Sequence, residues 1–229
     1  MLTVIGNLKG GTGKSTVVFN LGLWLRKKSA QVLLVDLDPQ ATLSDVIQVR
    51  REEGYLPELD LVADLEEARL RLHAYDEVLF DVGTSALEVM YAAIAAADRV
   101  IIPVPPSQAD VWSTQRFVRR IRAEQASTAA PRCLAFINRA DTHQAVRESD
   151  EAFVALESIA GLHCLPQRLG QRMAFRRSFS EGLSVEELEA RSKAASELDA
   201  LAEVLYPAWH TPGPTGQSPE LTTSPQDTR

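Results

Sequence analysis

Residues 9 to 16 read Lys-Gly-Gly-Thr-Gly-Lys-Ser-Thr, and no other stretch of the chain constrains its fold so tightly. The common phosphate-loop form G-x-x-x-x-G-K-S/T is not met, because Gly6 stands at the wrong distance from Lys14. What is present is the shorter K-G-G-x-G-K-S/T form, with an additional lysine at its start. Leu2 to Asn7 is a largely apolar run suited to a buried strand, and Val17, Leu21 and Leu25 recur at helical spacing after the loop. The motif therefore has the strand-loop-helix setting that its chemistry needs.

Each residue type has its own reason. Gly10, Gly11 and Gly13 let the backbone turn through positive φ and bring N–H groups close to phosphate oxygens, while the helix N-terminus adds partial positive charge. Thr12 fills the open position of the loop. Lys14 is placed to reach the β- and γ-phosphates, Ser15 to ligate Mg²⁺, and Thr16 to meet the α-phosphate. Lys9 has no phosphate to reach within its own chain.

With these residues the chain resembles the ParA/MinD family of deviant Walker A ATPases, in which the counterpart of Lys9 crosses to the partner subunit's nucleotide in an ATP-sandwich dimer. The resemblance extends to Asp36-Leu37-Asp38-Pro39-Gln40, similar to the family's D-x-D-P-Q motif, and to Glu77–Asp81, similar to a Walker B strand. Residues 101–112, IIPVPPSQADVW, resemble the proline-containing segment of small ParF-like partition proteins. The four motifs span residues 1 to about 185 in the family's order. After the Walker B aspartate the chain departs from many relatives, with Val82-Gly83-Thr84-Ser85, and altered contacts to water and γ-phosphate are expected there.

The resemblance implies ATP and Mg²⁺ as cofactors, with Asp36 and Asp81 near the metal beside Ser15, and Asp38 orienting the attacking water alongside the catalytic lysines Lys9 and Lys14. It places Asn138, in INRAD, and Gln167 beside the base, and gives Arg168, Arg172, Arg176 and Arg177 as DNA contacts. It also implies an ATP-dependent homodimer that binds non-specific DNA in the nucleoid of the cytoplasm. An ATPase-stimulating adaptor or centromere-binding protein would complete a system that segregates plasmids or chromosomes, or distributes carboxysomes or other cargo. The alternatives are a MinD-like spatial regulator and an ATP-dependent synthase or reductase on the same fold.

Composition narrows the choice. A chain of 229 residues with 45% hydrophobic residues supports one sizeable core. Strand and helix signals alternate, which predicts a single α/β domain with a doubly wound, mainly parallel sheet over 1–209. The expected strands are 2–7, 31–36, 59–63, 77–81, 99–104, 132–137 and 162–165, and the last helices lie near 171–181 and 185–206. Residues 210–229, rich in Pro, Gly, Ser and Thr, are expected to form a disordered tail. No apolar run approaches the roughly 20 residues that cross a bilayer, and nothing after Trp209 could form a basic amphipathic membrane helix, so no membrane partner is expected. The first strand begins at once, leaving no room for a signal peptide. Cys133 and Cys164 sit in apolar runs and read as buried thiols.

The net charge of −7 argues against a uniformly basic nucleic-acid protein, yet two arginine groups fall in stretches that hold no acid, residues 116–122 and 166–180. One is Arg116, Arg119, Arg120 and Arg122. The other is Arg168, Arg172, Arg176 and Arg177, which the resemblance favours as the DNA contact. Trp112 has no assigned role.

Overall fold

The computed structural model describes residues 1–124, 130–143 and 147–209, so the tail expected over 210–229 lies outside the described residues. Seven strands, β1 (Leu2–Ile5), β2 (Val32–Leu37), β3 (Asp60–Val62), β4 (Glu77–Val82), β5 (Arg99–Val104), β6 (Arg132–Ala140) and β7 (Leu162–Gly170), form one sheet in the order β3-β2-β4-β1-β5-β6-β7. Every pairing is parallel, as the alternation of strand and helix signals predicts.

Both faces of the sheet are covered. Leu34 of β2 faces one core cluster, and its neighbours Leu33 and Val35 face the other, as strand alternation requires. The first cluster packs α1 (Lys14–Lys27) and α2 (Thr42–Glu52) with the closing helices α7 (Met173–Ser180), α8 (Val185–Leu188) and α9 (Lys193–Leu205). The second gathers α3 (Leu65–Arg71), α4 (Leu87–Ala96), α5 (Gln108–Glu124) and α6 (Glu148–Glu157) through residues such as Ala68, Met90, Phe117 and Leu156. Cys133 and Cys164 lie buried in the second cluster as free thiols.

Two expectations need correction. The last strand runs to Gly170 rather than stopping at 165, because β7 pairs with β6 as far as Gly170 opposite Ala140, across register shifts. The single helix expected over 185–206 is two, because two serines start separate helices. Ser184 forms a reciprocal capping box with Glu187, and the Ser192 hydroxyl accepts from Ala195 N.

At the amino-terminal end of the sheet, charges are buried and fully partnered. Arg99 donates to Thr3 Oγ1 at 2.8 Å and to the Leu205 carbonyl, and it lies 4.4 Å from the Tyr206 ring centroid. Glu77 accepts from Thr3 and Arg99, and burial pushes its carboxyl above the usual range even so. This network ties the end of α9 to β1, β4 and β5.

A second buried arginine, Arg50 of α2, is 1% exposed. It meets Glu187 through two bonds of 2.8 and 2.9 Å and donates to the carbonyls of Gly182 and Pro57. Gly182 has φ of 69°, and a Cβ there would lie 2.8 Å from Arg50 N, so the turn before α8 sits directly on α2. Glu187→Ala leaves this guanidinium without its carboxylate and should cost about 2–3 kcal/mol, short of the ~3–5 for a fully buried pair because the glutamate is 29% exposed. Urea unfolding of the variant measures this directly; a midpoint equal to wild type would show that the pair is not needed for stability.

Candidate functional site

The loop between β1 and α1 is anchored before any phosphate reaches it. Gly6 N donates to the Ile101 carbonyl at 3.0 Å. Asn7, fully buried, donates to the Pro103 carbonyl at 3.0 Å and accepts from Lys9 N at 3.0 Å. These bonds hang the loop on β5. Gly11 and Gly13 have φ of 72° and 91°, conformations in which a side chain is strained. Gly13 has a second constraint, since a Cβ there would lie 2.5 Å from Asn138 Nδ2. That amide donates to the Thr12 carbonyl at 2.7 Å, so Asn138, from the end of β6, braces the turn that opens α1.

Lys14 and Asp81 define the charged centre. Lys14 is 6% exposed, and burial lowers its pKa against the opposing fields of Asp81 and Asp38. Asp81, at the end of β4, is fully buried, and neither carboxylate oxygen completes a hydrogen bond of good geometry among the described residues, although the Ser15 hydroxyl lies close enough to favour its charged form. Burial pushes its pKa up to about 7; the Ser15 hydroxyl and Lys14 oppose the shift, while Asp36 and Asp38 add to it. An unpartnered acid at the carboxyl edge of a parallel sheet, beside a loop of phosphate-facing amides, suits a Mg²⁺ ion that keeps most of its waters and binds together with phosphate. Ser15 and Asp81 are the residues that would hold it, and bound Mg²⁺ would neutralise phosphate charge.

The two acids of D-x-D-P-Q differ from each other. Asp36 is committed: Oδ1 accepts from Asp38 N at 3.1 Å, and Oδ2 accepts from Ser44 N at 2.8 Å and Ser44 Oγ at 2.7 Å. It braces the first turn of α2 rather than standing free beside Asp81. Asp38 is half-buried, and its Oδ1 accepts from Gln40 N at 3.0 Å. Lys9 meets Asp110 of α5 at 3.0 Å, a contact within one chain that the sequence did not reveal.

A cavity of about 300 Å³ opens beyond the loop, between Gly13, Thr16, Asn138, Arg139, Gly170 and Phe175. It has the location for the base and sugar of a nucleotide. Gln167 does not line it. Because β7 runs five residues further than expected, the strand end carries Gly170 and Gln171 to the cavity, and Gln167 sits inside the strand with its Oε1 unpartnered. Gln171 and Arg139 are the residues that sequence reasoning missed; Pro166, with no N–H, and polar Gln167 and Arg168 hid the continuation of the strand.

The second arginine group is acid-free only along the chain. Arg168 pairs with Asp150 at 2.7 Å, and Arg172 pairs with Glu197 through α9. Arg177 lies 3.6 Å from Glu181 and remains 64% exposed, and Arg176 contacts the Met173 sulfur. Trp112 is 55% exposed on α5.

Residues 3–185 match the profile of the CobQ/CobB/MinD/ParA nucleotide-binding domain. The chain is 32% identical over 212 residues to a protein named maintenance of carboxysome distribution protein A from Gloeobacter kilaueensis, covering 89% of this chain and 93% of that one. It is 35% identical over 132 residues to the chromosome-partitioning ATPase Soj of Thermus thermophilus, covering 44% and 53%. Among solved structures, the apo form of McdA from Cyanothece superposes with a TM-score of 0.73 at 20% identity, covering 89% of this chain and 98% of that one.

The titration of Asp81 yields a prediction. A folded-state pKa of about 7, raised from 3.8, means that nucleotide-free protein holds this proton more tightly than the unfolded chain does. The stability it contributes is present at low pH and is lost as the pH rises from about 4 to about 7. Asp81→Asn removes the dependence, so the variant should gain on wild type between pH 5 and pH 8 by on the order of a few kcal/mol. Thermal unfolding of both proteins without nucleotide across that range tests it, and a pH-independent gap would contradict the buried, unpaired carboxylate.

Proposed function

The chain belongs to the CobQ/CobB/MinD/ParA nucleotide-binding family, and on that premise we propose that it is a Mg²⁺-dependent ATPase that dimerises on ATP and positions cargo along DNA. The observation that carries this reading is the buried Lys14 facing an unpartnered Asp81 beneath a loop with two left-handed glycines. Phosphate oxygens would complement Lys14 and the loop amides, and a divalent cation would complement Asp81. In this reading Gly10, Gly11, Thr12, Gly13 and Thr16 wrap the phosphates, Lys14 neutralises their charge, and Asn138 borders the base. Asp38 accepts a hydrogen bond from the attacking water. The water oxygen bonds to the γ-phosphorus, the bond to the bridging oxygen breaks, and ADP leaves with that electron pair as the water's proton passes to the released phosphate or to solvent.

Lys9 acts across the dimer in this proposal. It stands at the start of the loop, 41% exposed, and its in-chain partner Asp110 is one that a phosphate of higher charge can displace. Lys9→Ala should leave ATP binding by the monomer largely intact and abolish the ATP-dependent dimer. Sedimentation with a slowly hydrolysed analogue distinguishes the cases. Wild-type dimerisation by the variant would leave an ordinary phosphate-loop ATPase.

The full-length match to a carboxysome-distribution protein and the partial match to Soj support cargo positioning on the nucleoid, with a partner protein that stimulates hydrolysis. Within the arginine group proposed for DNA contact, Arg176 and Arg177 carry the larger share, since Arg168 and Arg172 are held closely by acids while the Arg177 contact with Glu181 is long and exposed. Replacing Arg176 and Arg177 by alanine should weaken binding to DNA of any sequence and lower the slope of log affinity against log salt by about 2, with basal ATPase activity retained. Unchanged binding across a salt series would remove these arginines from the DNA surface.

A further inference from the structure

β2 and β4 pair in parallel register up to Leu37 opposite Val82, so the next residues, Asp38 and Gly83, leave the sheet side by side. A Cβ at Gly83 would lie 2.6 Å from Asp38 Oδ1, 2.7 Å from its Cγ and 3.0 Å from its Cα. All three approaches fall well inside the roughly 3.5–4.0 Å of good carbon contact. No side chain fits at position 83 while Asp38 keeps this pose.

The backbone does not explain the glycine. Gly83 is not among the positive-φ residues, so other residues could adopt its conformation, and the absent side chain matters only for the room it leaves. Asp38 is fixed from the opposite side. Its Oδ1 accepts from Gln40 N, and its own N–H donates to Asp36 Oδ1. The carboxylate is thus held between the D-x-D-P-Q turn and a gap above the turn that follows Asp81.

We infer that Gly83 is a positioning residue for hydrolysis: its bare Cα is the seat of the Asp38 carboxylate, and any larger residue there displaces the group that orients the attacking water. The departure of Val82-Gly83-Thr84 from the pattern of many relatives is then a matched feature of this chain, paired with the pose of Asp38. The inference rests on the reading of Asp38 as the water-orienting acid. It requires no change at the loop that binds phosphate, since the three nearest atoms are all of Asp38, and a Cβ at Gly10 of the loop would have Thr84 Oγ1 at 3.8 Å as its neighbour.

The test is a double-variant cycle of Gly83→Ala and Asp38→Ala in the full chain. Gly83→Ala should lower kcat for phosphate release by about 10- to 100-fold, the scale of a misplacement near 1 Å. KM for ATP and the titrated Kd for a slowly hydrolysed ATP analogue should stay within about twofold, and in the Asp38→Ala background the same methyl should change the rate by no more than that. If the methyl lowers the thermal midpoint, Asp38→Ala should restore it, because it removes the two shortest clashes. Wild-type turnover by Gly83→Ala, loss of analogue binding, or an equal loss in both backgrounds would each overturn the positioning role. Wild-type turnover by Asp38→Ala would overturn the reading of Asp38 itself, and the role of Gly83 with it; slow Asp38→Ala beside fast Gly83→Ala overturns only the latter.

Discussion

The burial of two opposite charges without full compensation, Lys14 and Asp81, is the constraint around which the carboxyl edge of the sheet is arranged. Burial lowers the pKa of the lysine and raises that of the acid to about 7, so each charge is disfavoured where it stands. A pair left in this state is costly to the nucleotide-free fold. A polyanion with a divalent cation relieves both costs at once, and the same desolvation that weakens the apo protein strengthens every contact to the ligand. The loop needs its anchoring by Asn7 and Asn138 for the same reason, since amides aimed at absent phosphates would otherwise relax toward water.

The opposite edge of the sheet is built on the contrary rule. Glu77, Arg99, Thr3 and Tyr206 are buried like Asp81, yet each has partners, and Arg50 satisfies two carbonyls and a carboxylate together. These groups hold α9 and α8 against the sheet and α2. They give the frame a defined geometry on which the unsatisfied site can be carried. Satisfied polar burial at one end and orphaned polar burial at the other separate structural from ligand-binding parts more cleanly than burial alone does.

Much of this was legible in the residues. The phosphate loop, the acids at positions 36, 38 and 81, and the parallel sheet all follow from local patterns. What sequence could not show were contacts made across the fold. β7 reads as ending at Leu165 because a proline, which has no N–H to donate, and then polar Gln167 and Arg168 follow it, but an edge strand tolerates both, so pairing with β6 carries it to Gly170. The acids that neutralise Arg168 and Arg172 lie 18 and 25 residues away in sequence. Asp36 resembles a metal ligand by motif, and the bonds its oxygens accept from Ser44 and from Asp38 N are contacts that no spacing rule foretells.

Lys9 shows how the exposure of a pair decides what it can do. Its contact with Asp110 is short, but the lysine is 41% exposed, so water competes with the carboxylate for its ammonium. Such a bond directs the side chain without locking it. Asp110 itself is nearly buried and already takes part in a bond with Ser107, so losing the lysine does not strand its carboxylate. The cation can therefore exchange one anionic partner for another at little cost, whereas Arg50 or Arg99 could not leave its partners without disrupting the fold. Of the two loop lysines, Lys9 is the one held loosely enough to take the cross-subunit role proposed for it, since Lys14 is buried at the centre of its own site.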